Sequence, residues 1–116
     1  LINLETRQLT YEETLDLLSR HPDLRGIYCA GGGMEGAIAA VREARQPGEV
    51  ALVVGALPPD GRAALVGRHV AMVLATPLQR LCEDLVRLAT EAVADGLAPV
   101  QGQHFLQPDL YLPESV

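Results

Sequence analysis

The sequence predicts an α/β fold, a three-layer α-β-α sandwich around a mostly parallel sheet. Three observations carry that prediction. Short apolar runs alternate with stretches of helical periodicity along the whole chain. Two central runs, EVALVVGA and HVAMVLA, are apolar on consecutive positions, as in strands covered on both faces. The links between elements are short, and alternation with short links implies parallel strands joined by crossover helices.

The elements follow in order. INLETRQL alternates in part and reads as a short first strand. TYEETLDLLSRHP reads as a helix, with Thr10 and Glu13 as a capping box in which each side chain satisfies a free N–H of the first turn. Tyr11, Leu15 and Leu18 share one face of it, and Pro22 stops it. LRGIYCA is a short apolar strand. GMEGAIAAVREARQ is a helix that turns Ile38 and Val41 inward and ends at Pro47-Gly48. After the strand EVALVVGA, PPDGRAALVG is a short helix begun by prolines and closed by Gly67. After the strand HVAMVLA comes the strongest helical pattern, TPLQRLCEDLVRLATEAVADG. Thr76 suits its N-cap, Pro77 its first position and Gly96 its left-handed stop. Leu78, Leu81, Leu85, Leu88 and Ala92 form its apolar stripe. The tail VQGQHFLQPDLYLPESV is extended, with room for one or two edge strands between its prolines.

Composition narrows the functions. With 116 residues the chain makes one modest domain. Aromatics are only 3% against 48% hydrophobic residues, so the core is aliphatic and no stacking platform for bases is available. A net charge of −6 repels phosphate backbones, which excludes nucleic-acid binding by this segment itself. No apolar run is long enough to span a bilayer, and LINLETRQL lacks the basic start and apolar core of a signal peptide. The start also lacks Met, as expected of a piece of something longer. Cys29 and Cys82 read as two buried, reduced thiols, with no zinc-site spacing around them.

The chemistry-bearing candidate is Gly31-x-Gly33-x-x-Gly36, between an apolar strand and an Ala-rich helix. Glycines there let backbone N–H groups approach a pyrophosphate at a helix N-terminus. The same glycines also serve a tight strand-to-helix turn with close packing. The acidic residue expected about 20 positions on, to bind a ribose, is missing: the chain there reads ALVVGAL. No Gly-Lys-Ser/Thr phosphate loop occurs. Ser19 and Ser115 lie in no nucleophile elbow, and His21, His69 and His104 stand singly at element edges. The pairs Glu12-Glu13 and Glu83-Asp84 read as solvated helix surface, and no catalytic constellation assembles.

The string RHPDLRGIYCAGGGMEGAIAAVREA resembles a stretch of the lactose-repressor (LacI) family of bacterial transcription regulators, whose fold also occurs in periplasmic sugar-binding proteins. His21, Pro22, Asp23, Leu24, Ile27, Tyr28, Gly36 and Ala37 carry the likeness. The succession from VALVVG to the Pro-started long helix is also similar, and Glu114 of YLPESV matches the family's terminal phrase. The resemblance covers the later part of the family's effector domain, without its helix-turn-helix or first subdomain.

The resemblance implies a periplasmic-binding-protein-like type I fold, here most of the second subdomain. It implies a cytoplasmic homodimer that senses a small sugar-like effector in a cleft, catalyses no reaction, needs no cofactor and meets operator DNA only through a preceding domain. A periplasmic solute-binding protein of a sugar transporter and a small nucleotide-binding α/β enzyme are the alternatives. By position, the effector-contacting residues are Gly31, Gly32, Gly33, Met34, Ala56, Leu57, Ala75 and Thr76. Where the family often places Asn, Asp, His-Glu or Gln, these are apolar or offer backbone alone. An unpartnered sugar hydroxyl costs about 1–3 kcal/mol. The effector is then less polar, or is bound mainly by the missing subdomain, or sensing has been lost.

Overall fold

The computed structural model describes residues 2–95 and 102–116. The elements are α1 (Arg7–Arg20), β1 (Gly26–Cys29), α2 (Met34–Ala44), β2 (Ala51–Val54), α3 (Gly61–Val66), β3 (Met72–Ala75), α4 (Leu78–Ala94) and β4 (Asp109–Tyr111), closed by a 3₁₀ turn at Pro113–Ser115. The sheet order is β1-β2-β3-β4. β1 and β2 are parallel with Ile27 opposite Leu52, and β2 and β3 are parallel with Val54 opposite Val73. The chain forms two compact units, one running to Ala75 and including Leu110–Val116, the other Thr76–Asp109.

In the first unit the core is aliphatic, as the composition demands. Leu18, Val41, Val50, Leu52, Val54, Leu65, Val70 and Val73 are fully buried. Ile38 and Val41 of α2 point inward as expected. Leu52 and Val54 share one face of β2, so truncating Leu52 removes contacts worth about 2–5 kcal/mol.

The tightest packing joins α1 to α2. The buried face of α1 is Thr10, Thr14 and Leu18, spaced four apart. Each threonine hydroxyl donates to the carbonyl four residues back, Thr10 to Thr6 and Thr14 to Thr10, both at 2.6 Å, so neither is buried unsatisfied. The threonines are small, and the residues that α2 buries include the smaller Gly36, Ala37 and Ala40. A Cβ on Gly36 would collide with the Arg7 carbonyl oxygen and lie 2.8 Å from the Tyr11 nitrogen. The two backbones are therefore in contact. The Tyr11 hydroxyl bonds to Glu43, and Arg45 donates to the Leu18 carbonyl at 2.8 Å.

Several expectations are corrected. Residues 2–9 form no strand: Arg7–Leu9 are the first turn of α1, and the chain before them is a loop. The cap is Thr6, whose hydroxyl accepts from the Leu9 N–H at 3.3 Å; Thr10 lies inside the helix, on its buried face. Two threonines four apart both fit a cap, and the upstream one starts the helix. Buried contact falls on Thr10 and Thr14 rather than on Tyr11 and Leu15, because only small residues allow the helices so close. β2 is less enclosed than its sequence suggests, with Ala51 exposed and Val53 half-buried.

The second unit is α4 with the tail that folds on it. Pro77 occupies the cap position and Thr76 is exposed, with its carbonyl accepting from the Leu78 N–H at 2.8 Å. No residue of α4 is buried: Leu78, Leu81 and Leu85 are exposed, and Leu88 and Ala92 half-buried. Cys82 is exposed, which corrects the expectation of a buried thiol. A periodic stripe predicts a helix but not what covers it. The Gly96 stop and the start of the tail fall outside the described residues. The tail returns through His104, 2.8 Å from Asp84, and through Arg80, which bonds Asp109 at 2.7 Å and the Gln107 carbonyl at 3.2 Å. His104 and then Arg87 hold the Asp84 carboxyl below its usual range. That contribution is present above the ordinary aspartate pKa of about 3.9 and is lost as pH falls through the lowered one.

Two outcomes are expected. Gly36→Ala would gain about 1 kcal/mol in an exposed helix. Here it should cost about 2 kcal/mol by overpacking, read from urea denaturation; unchanged stability would contradict the close contact. Second, a thiol reagent should modify Cys82 rapidly in the native protein. Cys29, buried and with its thiol pKa raised by burial, should react only on unfolding. Two equally fast thiols would refute this.

Candidate functional site

In parallel α/β sheets the crevice beyond the carboxyl ends of the strands is where ligands bind. In the first unit those ends are the loops after β1 and β2 and the end of β3 at Ala75. Gly55 follows β2, and a Cβ there would lie 3.9 Å from the carbonyl oxygens of Cys29 and Ala30, so the β1 and β2 loops are adjacent. Val54 pairs with Val73, so the chain leaves β2 at Gly55-Ala56 beside the β3 residues Leu74 and Ala75.

The residues singled out by sequence divide into three kinds. Gly31 and Gly32 are half-buried and Ala56 is exposed, so these three are accessible at the rim. Gly33 is buried, while Met34, Leu57 and Ala75 are half-buried and pack against the hydrophobic core. Thr76 begins the second unit and is exposed.

The glycine loop has a clear structural cause. Gly33 caps α2 in the left-handed conformation, φ 79°, and its carbonyl accepts the Gly36 N–H at 2.9 Å. A side chain on Gly33 would strike the Thr10 hydroxyl and stand 2.6 Å from the Thr6 carbonyl. One on Gly31 would stand 2.6 Å from a carboxylate oxygen of Glu5, and one on Gly32 would stand 3.1 Å from the Glu5 backbone. The space that a pyrophosphate would need above these glycines is filled by the start of α1 and by an acidic side chain. A phosphate there would meet like charge, not a cradle. The spacing G-x-G-x-x-G reports helix packing.

Two polar residues missed in the sequence stand at this loop. Asn3 donates from its side-chain nitrogen to the Gly32 carbonyl at 3.2 Å, and its own Oδ1 accepts the Glu5 N–H at 3.0 Å. Leu4 and Glu5 have φ of 48° and 57°, a left-handed reversal that Asn3 holds in place. Reading residues 2–9 as a strand hid them, and no motif marks them. Asn3 and Glu5 also line a groove of about 540 Å³ that runs along β1 beside α1, past Thr10, Thr14 and Leu17.

The chemistry on offer is recognition by backbone and a few polar groups. Among the described residues, no group of three His, Cys, Asp or Glu could hold a metal. The Cys29 thiol, at 4.0 Å from the Gly31 carbonyl, is pushed above its ordinary pKa by burial, which disfavours the nucleophilic thiolate. No described helix is long and apolar enough to cross a membrane.

No protein-family model and no curated sequence matches the chain. Solved structures do. A chain of the XylFII-LytSN complex aligns with TM-score 0.78 at 12% identity, over 98% of this chain and 40% of that one. A protein from Mycobacterium smegmatis aligns with TM-score 0.73 at 24% identity, over 95% of this chain and 37% of that one. The periplasmic binding protein of the arabinose ABC transporter from Shewanella sp. ANA-3, bound to α- and β-L-arabinofuranose, aligns with TM-score 0.65 at 21% identity. It is matched over 94% of this chain and 37% of its own. The chain thus spans about two fifths of the length of these structures. Its fold is that of part of a periplasmic-binding-protein-like α/β domain.

Proposed function

We propose that this chain is the second-subdomain part of a sugar-sensing module of the LacI type. It would bind a small polar metabolite at the carboxyl ends of β1, β2 and β3 and act as a homodimer that controls operator binding through a preceding DNA-binding domain. The observation that carries the reading is a fold match to a sugar-bound binding protein, joined to a rim in which the β1 and β2 loops meet. The regulator reading rests on the sequence phrases from His21 to Ala37. The arabinose-binding neighbour favours a second reading, a solute-binding component of a transporter. A helix-turn-helix encoded upstream of Leu1 would select the first, and a signal peptide the second.

At this rim Gly31, Gly32 and Ala56 supply backbone groups, and Asn3 and Glu5 supply the polar side chains at its edge. Gly33, Met34, Leu57 and Ala75 shape it from below, and Thr76 continues the chain beyond β3. Such a half-site leaves most sugar hydroxyls to the remainder of the protein, because an unpartnered hydroxyl is costly.

The test is a thermal-shift panel on the full-length protein with pentoses, hexoses, nucleotides and dinucleotides. A sugar at a hundredfold excess over its Kd should add about 2.7 kcal/mol of stability. Ala56→Arg, at an exposed rim position, should abolish that shift and leave the unliganded Tm in place. A shift with a dinucleotide and none with any sugar would overturn the proposal.

A further inference from the structure

Leu4 and Glu5 stand at φ of 48° and 57°, in the left-handed region that only Gly and Asn enter easily. Asn3 holds this reversal: its Oδ1 accepts the Glu5 N–H at 3.0 Å, and its Nδ2 donates to the Gly32 carbonyl at 3.2 Å. The reversal lays the Glu5 carboxylate across the two bare glycines after β1. A Cβ on Gly31 would stand 2.6 Å from Oε1 of Glu5, and one on Gly32 would stand 3.6 Å from Oε2. Both carboxylate oxygens are therefore at the rim. Glu5 is exposed, and among the described residues it enters no ion pair.

A second carboxylate acts on the same loop. The Cys29 thiol at the end of β1 is pushed up by burial and then by the charge of Glu35, which stands in the first turn of α2. Against these stands the amino end of α2, which begins at Gly33 and carries the equivalent of about half a positive charge. Two full negative charges outweigh it. A phosphate ester, at about −1.5 to −2 at pH 7, is repelled there. An uncharged sugar is not, and its hydroxyls gain from donating to a carboxylate, because such hydrogen bonds are charge-assisted.

We propose that Glu5 is the specificity-determining residue of this rim: its carboxylate accepts hydrogen bonds from neighbouring hydroxyls of an uncharged sugar and rejects the same sugar as its phosphate ester. This rests on the sugar-binding reading of the rim and adds which form of the sugar it takes. A site so equipped responds to the sugar ahead of a phosphoryl-transfer reaction and not to the product of that reaction.

The test is isothermal titration calorimetry on the full-length protein with L-arabinose, D-ribose and D-glucose, each beside its terminal phosphate ester. A sugar that binds should do so at least about tenfold tighter than its ester, through like-charge repulsion near the protein surface. Glu5→Gln keeps the size of the side chain and removes its charge. It should bring the two affinities to within about threefold of each other. In the parent protein the preference should also shrink as salt rises from about 10 mM to about 1 M. That arm needs no substitution, and a merely structural Glu5 would not produce it. Sugar binding with a preference unmoved by Glu5→Gln or by salt would overturn the role of Glu5 and leave the sugar-binding reading in place. So would an ester that binds the parent tighter than its free sugar. No binding by any of the six compounds, or binding that survives Ala56→Arg, would overturn the rim reading and this inference with it.

Discussion

The contact between the backbones of α1 and α2 is the constraint on which the first unit depends. Gly36 lies against the Arg7 carbonyl and the Tyr11 nitrogen with no room for a methyl group. That approach requires small residues along both helices, hence Thr10 and Thr14 buried on α1 and Gly36, Ala37 and Ala40 buried on α2. It also requires the buried threonine hydroxyls to find partners within their own helix, because a buried unpaired hydroxyl costs about 1–3 kcal/mol. Both do so by bonding four residues back.

The candidate rim inherits its shape from this contact. With α1 seated on α2, its first turn and the Asn3–Glu5 reversal lie against the glycine loop. Gly33 must take the left-handed conformation to begin α2 there, and the Thr6 carbonyl and the Thr10 hydroxyl crowd the same corner. The loop is left with accessible backbone at Gly31 and Gly32 and with apolar packing beneath it at Met34. Such a surface suits a neutral ligand that accepts hydrogen bonds from main chain. It opposes an anion, because Glu5 stands over it. An attractive sequence motif and an acidic neighbour lead to opposite chemistries, and distance decides between them.

Much of the fold is legible in the sequence. β1, β2, β3, α2 and α3 are bounded by Gly and Pro and filled with Val, Leu, Ile and Ala, so periodicity and punctuation agree. The first helix is less legible, because Thr6 and Thr10 are equally good caps by type and Ile2 and Leu4 imitate a strand. The glycine loop is ambiguous in principle: glycines needed for backbone-to-backbone packing and glycines needed for a phosphate have the same spacing. Asn3 and Glu5 reach the rim through a left-handed reversal at Leu4-Glu5 that no local pattern signals. The stripe of α4 and the placement of Cys82 show a different limit, since helical periodicity specifies a face but not its cover.

On this packing, α1, α2 and the glycine loop form one cooperative body held by the Gly36 contact. Native-state hydrogen exchange in Gly36→Ala, compared with the parent protein, tests it most directly. The amides of α1 around Tyr11–Leu18 and those of α2 around Ile38–Val41 should lose protection together and by the same factor. Loss of protection in α1 alone, with α2 and β1 unchanged, would contradict it.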